Sequence, residues 1–147
     1  MTTPPLSVLP PDADWTQLSG AGRDVRLRFA HDGDAIEFSA RRCAEGRLRD
    51  AYPVGARDVE LDVTNDAAPQ RVTRPLAALT QTILNSDNSC RRVVFAAPAD
   101  DAAMVSAVEA AGFRYVLDVD VPGAELSLLV AEPSWITELD DDRVPGS

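Results

Sequence analysis

Residues 92–131 read RVVFAAPADDAAMVSAVEAAGFRYVLDVDVPGAELSLLVA, and their pattern is the most informative about the fold. It opens with a short apolar run at residues 92–97, which is typical of a buried strand. Asp100 or Asp101 then offers a helix N-cap, apolar residues follow at helical spacing, and Gly112 suits a left-handed helix end. This stretch therefore predicts a strand followed by a helix.

Two hairpins flank this unit, because apolar and polar side chains alternate on both sides of a turn signal. The alternating pairs are residues 25–30 with 35–40, around Asp32-Gly33, and residues 115–121 with 125–131, around Pro122-Gly123. Both turns join their strands tightly, so both pairs should be antiparallel.

A third alternating run at Val59, Leu61 and Val63 predicts another strand. A polar loop at residues 65–74 follows it, and a helix from Pro75 to about Asn85 follows the loop, with proline at the first helical position. A strand, a helix and a second strand imply a parallel pair with a right-handed crossover. The expected fold class is α+β, a mixed, mostly antiparallel sheet with a central parallel pair and packed helices.

The charge distribution excludes one class of partner. The 147 residues carry 24 acidic and 14 basic side chains, a net charge of −10, and the whole excess falls in residues 58–147. Such a surface repels a phosphate backbone, so we expect no nucleic-acid partner. No apolar run reaches the roughly 18 residues of a membrane span, and no export signal begins the chain, so a cytoplasmic protein without membrane contact is expected.

The inventory of metal-binding side chains is small. Cys43 and Cys90 lie far apart and His31 is the only histidine, which excludes a Cys/His zinc site. We expect no metal, two reduced and packed cysteines, and a solvated His31. Residues 15–137 should form one domain, preceded by a Pro-rich arm at 1–14 and followed by an acidic tail at 138–147.

The order of elements in residues 92–131 resembles the second half of the GCN5-related N-acetyltransferases (GNAT). In that family a strand, a capped helix ending in Gly-Phe and two antiparallel strands follow one another, as they do here up to Phe113 and beyond. The resemblance covers roughly residues 24–135. It implies the GNAT-like fold, acetyl-CoA or another acyl-CoA as cosubstrate, and an amine of unknown identity as acceptor.

The family's pyrophosphate loop corresponds here to residues 70–75. Its glycines, which let backbone N–H groups point at a phosphate, are both missing, while arginine forks offer partial compensation. The cofactor-binding residues that the resemblance implies are Val63, Gln70, Arg71, Val72, Thr73, Arg74 and Asp101.

The catalytic residues follow from the same resemblance. Glu60 and Asp62 leave one face of the strand that would border the acyl group, so one of them is the candidate base. The family's tyrosine acid corresponds to Val108. Tyr115 either replaces it from a strand or packs in the core.

The family also has two helices between its first strands, which shape the acceptor pocket and have no clear counterpart here. A second subunit could complete that pocket, so a homodimer is possible. Three interpretations remain open: a reduced acyl-CoA-dependent N-acyltransferase, a non-catalytic acyl-CoA-binding or protein-interaction module of the same fold, and an unrelated α+β binding domain.

Overall fold

The computed structural model describes residues 13–19, 24–31, 33–43, 57–64, 67–86 and 92–132, together with Leu48 and Gly55. These residues form seven strands and two helices. In chain order they are β1 (Trp15–Ser19), β2 (Asp24–His31), β3 (Asp34–Arg42), β4 (Val59–Val63), α1 (Pro69–Ser86), β5 (Val93–Pro98), α2 (Ala102–Ala110), β6 (Arg114–Val121) and β7 (Ala124–Ala131).

All seven strands belong to one sheet in the order β1-β2-β3-β4-β5-β7-β6. Within it β4 and β5 are parallel, and every other neighbouring pair is antiparallel. The prediction of a mixed, mostly antiparallel sheet with a central parallel pair is confirmed.

Both predicted hairpins are present. Strands β2 and β3 pair from Asp24 with Arg41 to His31 with Asp34, and Gly33 in their turn has φ 84°. The β6–β7 turn contains Gly123, also with φ 84°. An L side chain rarely adopts this backbone conformation, so glycine is the residue that lets each turn close.

The two helices lie on the same face of the sheet. Both the β4–α1–β5 and β5–α2–β6 connections progress in one direction across the sheet, so right-handed crossovers put both helices on one side. The main core lies beneath them and includes Phe38, Leu61, Leu76 and Phe95. A smaller cluster on the other face includes Val94, Leu128 and Val130, with Leu48 from the β3–β4 connection.

Two elements differ from the sequence-based expectation. Strand β1 was not predicted, because Trp15 is its only apolar residue that enters the core. The predicted loop at 69–74 is wrong, since α1 already begins at Pro69 and contains Pro75 in its interior. Val72, fully buried four residues before Leu76, extends the apolar stripe of the helix by one turn.

Several predictions lie wholly or partly outside the described residues. They are the arm at 1–14 except its last two residues, the tail at 138–147, Cys90 and Asp32. In the described part of the chain neither helix is long and apolar enough to cross a membrane.

Candidate functional site

The parallel strands β4 and β5 separate at one end. Their pairing covers Val59 with Val93, Glu60 with Val94 and Leu61 with Phe95, after which β4 continues to Val63 and β5 continues to Pro98 without further pairs. The Val59 N–H donates to the Arg92 carbonyl, 3.2 Å away. Alternate residues of a strand direct their main-chain groups to the same neighbour, so those of Val63 point toward the opened side.

The other end of this strand pair is held together by Asp58, whose side chain is 5% exposed. Its Oδ2 lies 3.0 Å from the Arg92 guanidinium and accepts a hydrogen bond of 2.8 Å from the Gly55 N–H. Its main-chain carbonyl accepts from the Cys43 N–H at 2.9 Å. The pair is therefore fixed at its amino end and splayed at its carboxyl end.

A groove lies between α1 and α2 near this splayed end. Its volume is about 410 Å³, and Thr73 spans it by donating from Oγ1 to the Ala107 carbonyl at 2.9 Å. The helices begin where β4 and β5 end, the edge at which open α/β sheets bind ligands. The residues lining the groove are Pro69, Gln70, Thr73, Ala103, Ser106 and Ala107.

The electrostatics of the groove favour an anion at its α1 end. The first turn of α1 contains no acidic residue, and a helix N-terminus carries a partial positive charge. On α2 the N-cap is Asp101, one of the two predicted candidates, and its Oδ1 accepts from the Met104 N–H at 3.0 Å. The Asp101 carboxylate thus has a structural role that does not depend on a cofactor.

Of the seven residues predicted to bind the cofactor, Val63 lies on β4 and Asp101 caps α2, and the other five lie on three different sides of α1. Gln70 and Thr73 line the groove between the helices. Val72 is fully buried in the core. Arg71 and Arg74 line a separate cavity on the other flank, between α1 and strands β1 to β3.

Glu60 and Asp62 project together from β4. Val59 and Leu61 belong to the core beneath the helices, so the two carboxylates leave the opposite face. Glu60 is 1% exposed, and its Oε2 lies 3.4 Å from the Arg41 guanidinium, while Asp62 is half-buried at the start of the splay. Arg41 also donates to Ser39 Oγ at 3.0 Å.

Tyr115 is not brought together with these carboxylates. Tyr115 lies on edge strand β6 and pairs with Leu129, which packs beneath the helices. Its ring is therefore on the face that the helices cover, opposite to Glu60 and Asp62. Its hydroxyl donates to Asp118 Oδ1 at 2.9 Å, and that hydrogen bond, with a smaller effect of desolvation, raises the pKa of Tyr115. The prediction that Tyr115 packs in the core is wrong, since its side chain is 46% exposed.

The α2 side of the groove was not predicted from the sequence. Its lining residues there are small, at positions 103, 106 and 107, and the spacing of four residues places Ala103 and Ala107 on one side of the helix. Small side chains at that spacing leave room for a ligand between two helices. Their pattern looks the same as that of a tightly packed helix contact, so sequence alone does not separate the two.

No family model and no curated protein matches this sequence. Solved structures do match the fold. An uncharacterized protein from Bacillus halodurans superposes with a TM-score of 0.68 at 15% identity, covering 82% of this chain and 64% of that one. The aminoglycoside acetyltransferase AAC(6')-Ib, solved with ribostamycin and coenzyme A, superposes with a TM-score of 0.64 at 14% identity, covering 84% and 70%.

At such identities these likenesses establish the fold, which is an α+β acyl-CoA N-acyltransferase fold with a seven-stranded mixed sheet. It is the fold of the GCN5-related N-acetyltransferases, so the resemblance is confirmed at that level. The chain spans slightly less than two thirds of the Bacillus halodurans protein. Only residues 20–23 separate β1 from β2, too few for the two helices that the family has between its first strands.

Proposed function

We propose that this protein binds an acyl-CoA and transfers its acyl group to an amine. One observation carries the proposal: the splay between β4 and β5 opens at the same edge of the sheet as the groove between α1 and α2. A long cosubstrate with a charged end and a reactive thioester end can place one end in each of these two openings. The CoA complexes of AAC(6')-Ib, which share the fold, support this choice.

In this arrangement the phosphates lie at the N-terminus of α1, beside Gln70 and Thr73. The positive end of the helix stabilises them in place of the missing glycines. The acyl end enters the splay, where the Val63 N–H is directed at the thioester carbonyl and polarises it. We do not assign the phosphates to Arg71 and Arg74, because their side chains line the cavity on the other flank of α1.

We assign the base to Asp62, directly or through one water. It is the carboxylate nearer the open end of the splay, whereas Glu60 lies within the paired segment and beside Arg41. The amine nitrogen bonds to the carbonyl carbon, the carbon–sulfur bond breaks, and Asp62 takes the amine proton. The leaving thiolate takes a proton from water. The net charge of −10 of the chain suits an acceptor with cationic groups.

A calorimetric titration with acetyl-CoA and with CoA tests the binding step. We expect saturable binding of both, and Ser106→Trp should weaken it at least about tenfold, because an indole fills the groove between the helices. Glu109→Trp, exposed on the same helix outside the groove, is the matched control and should bind normally. Absence of binding to the unaltered chain would refute the proposal.

The chemical step is tested by CoA release with kanamycin and spermidine as amines. Asp62→Asn should lower kcat about 10²-fold or more without changing CoA affinity, the loss typical of a removed general base. Glu37→Gln, on the same face of neighbouring strand β3, should leave kcat unchanged. An Asp62→Asn enzyme with normal kcat would exclude Asp62 as the base.

A non-catalytic acyl-CoA-binding module is the second candidate function. The observation that favours it concerns the acid: Val108, at the family's tyrosine position, is fully buried, and the Tyr115 hydroxyl is bonded to Asp118 on the opposite face from Glu60. Acetyl-CoA binding without turnover of either amine would support this function over catalysis.

A further inference from the structure

The cavity beside α1 is a second concave site with an aromatic floor. Trp15 and Phe29 lie with ring centroids 5.2 Å apart, and Trp15 is also 5.5 Å from Phe38. Trp15 is 5% exposed and Ile36 is 4% exposed, so the floor is fixed by core packing. The cavity has a volume of about 390 Å³, within the range of small-molecule sites.

The rim of this cavity is charged, and the two sides differ. Arg71 and Arg74 lie three residues apart on α1, which places both guanidinium groups along one side of the helix. Across the cavity, Asp14 Oδ2 lies 3.4 Å from His31 Nδ1. Among the described residues that line the cavity, two guanidinium groups face one carboxylate, so this part of the rim carries an excess of positive charge in a chain whose net charge is −10.

The cavity is distinct from the groove between the helices. Arg74, Pro75 and Ala78 line the cavity, whereas Thr73 and Ser106 line the groove, and Gln70 at the first turn of α1 borders both. The inference from the cavity therefore does not rest on the proposed function.

We propose that this cavity binds a small aromatic carboxylate. The flat ring lies against Trp15 and Phe29, where offset or tilted ring contacts add to the burial of apolar surface. The carboxylate reaches the rim at Arg74, with Arg71 beside it, and a guanidinium fork matches the two carboxylate oxygens. The positive rim selects an anion, and the aromatic floor selects a ring over an aliphatic chain of equal charge.

Phenylacetate is a suitable probe, and Trp15 is a built-in reporter. The chain has two tryptophans, so Trp135→Phe leaves Trp15 as the sole emitter. Phenylacetate should change its emission with saturation in the millimolar range or tighter. Benzylamine, with the same ring and opposite charge, and acetate, without a ring, should not. Calorimetry on the unaltered chain gives the same comparison without the tryptophan substitution.

Arg74→Ala should weaken phenylacetate binding about tenfold, the loss expected for one charge-assisted contact, and leave CoA binding unchanged. Arg114→Ala, which removes an exposed arginine on β6, is the matched control and should bind phenylacetate normally. Equal binding of benzylamine, full affinity in the Arg74→Ala protein, or no saturable phenylacetate binding by either method would overturn the proposal. A failure of CoA binding alone would leave it standing.

Discussion

Among single residues, Asp118 connects the last two strands of the sheet, β7 and edge strand β6, through two side-chain hydrogen bonds. It accepts from the Tyr115 hydroxyl at 2.9 Å and from Ser127 Oγ at 2.6 Å. Ser127 is buried, 4% exposed, while Tyr115 stays in contact with solvent. Asp118 thus links an exposed phenol to a buried hydroxyl across β6 and β7, and this contact holds the phenol in its protonated form.

We expect the pKa of Tyr115 to lie above its ordinary value of about 10 and to fall in an Asp118→Asn protein. The reason is that an amide oxygen is a weaker acceptor than a carboxylate and carries no charge. Ultraviolet titration of the phenolate measures it, and the difference from a Tyr115→Phe protein removes the contribution of the other tyrosine. An unchanged titration in Asp118→Asn would contradict this cause.

The raised pKa of Tyr115 also makes the stability of the fold depend on pH. Because the folded-state pKa is raised, the stabilising contribution of Tyr115 is fully present below the ordinary tyrosine pKa and is lost as pH rises through the folded value. The effect is therefore confined to alkaline pH.

Among the helices and strands, α2 is stabilised at its N-terminus by the Asp101 side chain, which caps it. Asp101→Ala should destabilise the protein by about 1 kcal/mol, since the Met104 N–H loses its side-chain acceptor. Asp101→Asn keeps an acceptor at the same place and should lose less. Urea denaturation of both proteins measures the difference. Equal losses would show that the charge, and not the cap, is what stabilises the helix.

The sequence predicted elements well where one periodicity dominated. Strands β2 to β7 each carry apolar side chains at every second position or in a continuous run, and α2 has both an N-cap and Gly112, with φ 106°. The start of α1 was misplaced because two prolines, Pro69 and Pro75, both suit a first helical turn. Pro75 lies inside the helix, where tertiary packing of Val72 and Leu76 overrides its local preference.

The candidate site was less predictable for a related reason. Alternation along β4 correctly placed Glu60 and Asp62 on one face. For residues 70–75 the predicted loop left side-chain directions undefined. In the helix these directions are defined: Thr73 lines the groove on one flank of α1, and Arg74 lines the cavity on the other. The Arg41–Glu60 contact joins residues 19 apart, and such pairs follow from strand register, which the sequence does not specify.

At the scale of the whole molecule, the closed end of the β4–β5 pair supports its open end. Asp58, Arg92 and the Gly55 N–H form a buried polar contact where the two strands begin. Because the two strands are held together at this end, they can separate beyond Leu61 and Phe95 while their pairing from Val59 to Leu61 is kept.

Asp58→Ala should therefore destabilise the protein by about 2–3 kcal/mol, because it removes one member of a largely buried ion pair. The loss is at the low end of such pairs since Arg92 keeps 29% exposure. Glu132→Ala, which breaks the exposed contact with Arg114, should cost less than about 1 kcal/mol. Urea denaturation compares the two, and equal losses would contradict the role of Asp58.

The strand order has a consequence for synthesis on the ribosome. Strand β7 lies between β5 and β6, both of which precede it in the chain. Until residues 124–131 have emerged, one edge of β5 is unpaired and β6 has no partner among the strands already made. The sheet is therefore completed only after β7 has been made, and until then its open strand edges favour aggregation.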